Sequence, residues 1–180
     1  MSYQHWWACY PTETAYVHAW PSILDDSLRI VTRAATAGIT VHGPDGYGTP
    51  ILDQDDGIAV GGDAAHRRHA QPMRLPAPHR NPVPTPCGTA PAATGSVDTG
   101  RHLYDTVIAA ILLRCHLLLG NHFAIRSDGD WDTEWAHGAR VGYPGARTLV
   151  TDLFGPITSG SPLTWPPQPT HRIEERPSNA

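Results

Sequence analysis

The chain has no lysine; all thirteen of its basic residues are arginine. Together with its load of Ala, Pro and Gly, this reads as the coding bias of a GC-rich genome and carries no function. A basic face is lacking too. The formal net charge is -4, the isoelectric point is near 6.2, and Arg67 and Arg68 form the only adjacent basic pair. Nucleic-acid binders gain most of their affinity by neutralising phosphates, so this balance argues against a nucleic-acid partner. Cysteine is scarce: Cys9, Cys87 and Cys115 are far apart, cannot all pair within one chain and show no C-x-x-C spacing, so reduced thiols are expected. Long apolar runs are missing as well. The greasiest stretch, HLYDTVIAAILLRCHLLL at 102–119, is interrupted by Arg114 and His116 and keeps only seven clean apolar residues, 107–113. A bilayer span needs ~20. The first twenty residues have no basic start followed by an apolar run, so no secretory signal is expected. These absences together predict a cytoplasmic protein without a membrane segment.

Catalytic and cofactor signatures are also incomplete. The glycine-rich GPDGYG at 43–48 has neither the Lys-Ser/Thr pair nor the following helix of a phosphate-binding loop, and reads as a hairpin turn. No G-x-S-x-G elbow is present, and no H-E-x-x-H. His66 and His69 give an H-x-x-H spacing beside Asp63, but a zinc site would otherwise have to be assembled from distant residues such as His116, His122 and Asp128. A single partly buried histidine held by one hydrogen bond is the plainer account of His116.

What the chain does have is a pattern of elements. YQHWWACY at 3–10 is aromatic, suits a strand and stops at Pro11. After Pro21-Ser22, ILDDSLRIVTRAATAG places apolar residues near helical spacing, with Asp25 and Asp26 in the first turn and Gly38 as terminator. ITVHG, ILDQDDG and IAVGGD, separated by D-G and G-x-P punctuation, predict a meander of two or three strands. The seven prolines of 72–91 predict that residues 71–97 form an exposed, extended loop, because each proline removes a backbone donor and fixes φ. The helix at 102–119 is apolar over most of its circumference, with only Asp105, Thr106 and Arg114 on the solvent side. Such a helix must be covered on several sides, so the first half of the chain has to enclose it. HFAIRS then reads as a strand, SDGDWD as a polar turn, and EWAHGAR and ARTLVTDLFG as helices broken apart by GYPG.

The succession DGIAVGGDA, HLYDTVIAAILLRCHLLL, FAIRSDGDW and ARTLVTDLFG resembles a family of small uncharacterised proteins of actinobacteria and their phages, over about residues 39–65 and 99–155. The resemblance implies a compact α+β fold and carries no catalytic residue across. The chain departs from that pattern in its Pro-rich tract and in the HGARVGYP insertion.

The expected architecture is therefore α+β: one small mixed or antiparallel sheet with two or three helices on one face and 102–119 as the central buried helix. It makes a single domain over 1–155, with a Pro-rich tail at 156–180 predicted to be disordered. Two functional readings follow. In the first, the protein is a non-catalytic binding or regulatory protein without a cofactor, acting through an exposed aromatic and acidic surface at Trp7, Asp128, Asp130 and Trp131. Alternation along the first strand turns one of Trp6 and Trp7 outward, and that ring is the candidate contact. A protein partner or self-association, with the Pro-rich tracts as docking arms, fits this reading. In the second, a hydrolase, Asp128, Asp130 and Asp132, with His122, hold Mg or Ca that activates water. The competing account of these aspartates is a solvated turn that caps the following helix.

Overall fold

A computed structural model describes residues 2–79, 92–138 and 140–163. Strand β1 (Gln4–Cys9) leads into helix α1 (Thr14–Thr36), then β2 (Ile51–Asp53), β3 (Gly57–Val60), β4 (Met73–Leu75) and β5 (Ala93–Asp98). Helix α2 (Asp105–Leu119) follows, passes through a short 3-10 turn into β6 (Phe123–Ser127), and α3 (Glu134–His137) and α4 (Ala146–Phe154) close the described chain. The fold is α+β, with two small antiparallel sheets where one was expected: β5-β1-β6 and β2-β3-β4.

In β1 the two faces part as the alternation requires. His5, Trp7 and Cys9 are buried beneath the helices, with Val97, Phe123 and Ile125 beside them on β5 and β6. On the other face Thr94, Ser96 and Arg126 are exposed and Trp6 is half-buried. Helix α2 is the centre of the molecule: eleven of its fifteen residues are buried. It packs against α1, α4 and β6, which is how an all-round apolar helix finds cover.

Several expectations need correction. Helix α1 starts nine residues earlier than the apolar pattern from Ile23 suggests and runs through Pro21. Proline inside a helix costs about 3 kcal/mol. Tyr16, Trp20 and Ile23, spaced along one face and fully buried, each return roughly 1.5–3 kcal/mol, so packing wins over local propensity. Asp26 is consequently mid-helix and buried, where its carboxylate takes Arg114 Nε at 2.7 Å and Arg29 Nη1 at 3.3 Å. Both guanidinium groups also sit over the Phe154 ring, at 4.3 and 4.6 Å, so α1, α2 and α4 meet around one charged contact. Asp105 and Thr106 are buried as well, because the start of α2 is tucked beneath β1. At the ends of the Pro-rich tract the loop expected over 71–97 gives way to β4 and β5. Met73 and Leu75 are buried on the inner side of β4 and only Arg74 points out. The middle of that tract and most of the tail lie outside the described residues, although Ile157 and Leu163 pack on the core. No helix among the described residues is long and apolar enough to cross a membrane.

Candidate functional site: a cleft at the sheet edges and a sealed polar cluster

The acidic turn SDGDWD begins where β6 ends. Asp128 ties it to the start of β1: its Oδ2 accepts the Gln4 N–H at 3.0 Å, and its own N–H donates to the Gln4 carbonyl at 2.9 Å. Asp130 is a cap. Its Oδ1 accepts the Thr133 hydroxyl and N–H, both at 2.9 Å, and the Asp132 N–H at 3.0 Å, and these bonds hold its carboxyl below the usual range. Asp132 instead reaches Arg147, at 3.1 Å, whose guanidinium lies 4.4 Å from the Trp131 ring centre. His122 is at the opposite end of β6, bonded to Glu13 at 2.6 Å. Six strand steps separate His122 from Asp128, roughly 20 Å at ~3.3 Å per residue. The three aspartates and His122 therefore do not surround one cation, and the Mg or Ca reading loses its ligand set. Among the described residues no three His, Cys, Asp or Glu side chains stand together as a metal site.

The other histidine candidates are committed elsewhere. His66 Nδ1 is 2.5 Å from Asp63, whereas His69 accepts the Gly62 N–H at 3.1 Å and stacks on Tyr104. His116 donates from Nδ1 to the Phe123 carbonyl at 2.7 Å, the single satisfying bond expected of it. Cys9 and Cys115 are buried, free thiols, and burial pushes Cys9 up to about 12, so neither offers a ready nucleophile.

Behind the acidic turn is a cluster that sequence reasoning missed. His5 Nε2 is 2.8 Å from Asp105 Oδ1, and the Thr99 hydroxyl donates to the same oxygen at 2.5 Å. Tyr3 and Trp135 meet the His5 ring edge-on from two sides. Next to it, Ser127 Oγ accepts the Gly129 N–H at 2.8 Å and the Trp135 indole N–H at 3.1 Å. Gly129 is required there, since a Cβ would come within 2.0 Å of the Tyr3 hydroxyl. Arg101 covers the outside, stacked on Tyr3 and paired with Glu134. A carboxylate-oriented imidazole is the machinery of nucleophilic hydrolysis, yet His5 is 0 % exposed, and Ser127 is held by two donors. The cluster binds the start of α2 to β1 and the turn; it presents no surface to a substrate. Its only advance signal was an aspartate opening an otherwise apolar helix.

Trp7 points elsewhere. It was the ring expected at the surface, but Trp6 takes that place, with Arg126 4.8 Å from its ring centre, and Trp7 is only 3 % exposed. Its indole crosses β5 at Gly95, where a Cβ would come within 2.2 Å of Cζ2. Beyond β5 is a gap. The facing edges of β4 and β5 are joined at one end, where the Gln71 N–H donates to the Asp98 carbonyl at 2.9 Å and the Asp98 N–H to Gln71 Oε1 at 3.0 Å. No ladder pairs the two strands. Toward Pro76 and Ala93 they leave a cleft of about 360 Å³, floored by Trp7, Ile58 and Leu75 and edged by Asp56, Arg74 and Thr94. The Trp7 indole N–H has no acceptor among the described residues. Asp56 and Arg74 are exposed, and neither forms an ion pair among the described residues.

Comparison of the chain with protein-family models, with curated proteins and with solved structures gives no match.

Proposed function

We propose that the protein is a non-catalytic ligand-binding protein whose site is the cleft between β4 and β5. The observation that carries this reading is Trp7. A nearly buried indole ordinarily finds an acceptor for its N–H, and this one lines a cleft with no acceptor for that N–H among the described residues. The cleft has the features of a small-molecule site: adequate volume, an apolar floor and a few polar groups at the rim. The sealed state of His5 and the dispersal of the acidic turn favour binding over catalysis. Asp128, Asp130 and Trp131 are left to the local order of the turn.

The test uses nitrogen-labelled protein and a library of small polar and amphipathic compounds. The indole N–H resonance lost in Trp7→Phe identifies Trp7, and a true ligand shifts that resonance. The same substitution keeps most of the ring and removes one hydrogen bond, so it weakens binding about 3- to 10-fold. If every compound that binds leaves the Trp7 resonance in place, the cleft is not the site.

A further inference from the structure

The charges at the rim select among ligands. Asp56 directly precedes β3 and Arg74 is on β4, where it stands opposite Ala59. Asp56 is three residues from Ala59, so the two positions are offset by roughly 10 Å along the strands at ~3.3 Å per residue. Across that offset the two side chains form no ion pair with each other or with any other described residue. It matches the distance between the ends of a short peptide, since an extended chain spans at most ~3.5 Å per residue. Arg74 and Leu75 of β4 and Ala93 and Thr94 of β5 supply the walls. A guest peptide would lie between these walls. Below it, Trp7, Ile58 and Leu75 make an apolar floor for one side chain.

Resting on the ligand-binding reading above, we infer that the ligand is a peptide of two or three residues with both ends free, its ammonium at Asp56, its carboxylate at Arg74 and an apolar side chain over Trp7. Single amino acids are too short to meet both charges. Longer chains must leave one charge unmatched.

The experiment compares Ala-Leu-Ala with its N-acetylated form, its C-amidated form and free leucine, by calorimetry and by the Trp7 indole resonance. Ala-Leu-Ala is expected to bind and to shift that resonance, with each blocked form on the order of 5-fold weaker, as for a partly exposed ion pair. Asp56→Asn should erase the penalty for acetylation and leave the penalty for amidation; Arg74→Gln should do the reverse. This crossed pattern cannot arise from a general loss of folding, and both side chains are exposed. Equal binding of the N-acetylated or the C-amidated peptide, or of free leucine, overturns the inference. So does failure of all peptides, and if a library compound still shifts Trp7 in that case, the ligand-binding reading stands while the peptide inference falls.

Discussion

Asp98 shows how one side chain couples the termini of several elements. Its Oδ1 accepts the N–H groups of Tyr3 and Gly100, at 3.0 and 2.9 Å, and Oδ2 accepts the Ser2 hydroxyl at 2.8 Å. The Tyr3 N–H, with these other donors, holds its carboxyl below the ordinary aspartate value. Because the folded value is depressed, the contribution is fully present above the unfolded value of about 3.9 and is lost as pH falls through the folded one. Asp98→Asn is therefore expected to lower the urea midpoint at neutral pH, with the gap to the wild type narrowing as pH falls below the unfolded value of about 3.9. A gap that stays constant across that range would mean that the charge of Asp98 is irrelevant to the fold. The limits of sequence reading at this scale are clear in the tryptophans. Alternation establishes that Trp6 and Trp7 face opposite ways, but which ring is covered depends on where α2 lies, and that is settled by residues a hundred positions away. The aspartates of SDGDWD mislead for a similar reason: alternate spacing aligns side chains only in a strand, and this segment turns.

At the scale of elements, α1 carries the sharpest conflict between local and tertiary preference. Pro21 has no N–H to give the Val17 carbonyl, yet the helix continues because Tyr16, Trp20 and Ile23 are buried on both sides of it. Pro21 itself is exposed, so Pro21→Ala changes little packing. It restores the missing bond, offset in part by greater freedom of the unfolded chain, and should stabilise the protein by on the order of 1 kcal/mol. Thermal melts that show no gain, or a loss, would indicate that the helix depends on a proline-induced bend there. Elements with long, self-consistent patterns were legible in advance: β1, α2, β6 and α4 fall where periodicity places them. β4 was not, since Met73-Arg74-Leu75 alternates correctly but is three residues long among prolines. Its strand character comes from pairing with β3. The division into two sheets was hidden for the same reason, and with it the cleft between their edges.

For the whole molecule the deciding fact is that both halves of the chain share one interior. Trp20, Ile23 and Ile30 of α1 belong to the same buried cluster as Ile108, Ile111 and Leu112 of α2 and Leu149 of α4. The Asp26–Arg114 contact adds a directed link across the same interface. Covering α2 thus consumes the apolar faces of elements from both sides of the Pro-rich tract, and among the described residues neither side has a second core to fall back on. Leu112 is fully buried, and Leu112→Ala removes packing that the surrounding elements can recover only in part. The expected cost is about 2–5 kcal/mol, a large share of the ~5–15 kcal/mol that holds a domain of ordinary size. Because the interior is shared, that loss should appear as one transition shifted as a whole, with tryptophan fluorescence and far-ultraviolet dichroism moving together. Two separated transitions in Leu112→Ala, one retaining the signals of β1 and α1, would show that the halves fold independently and that α2 is not their common support.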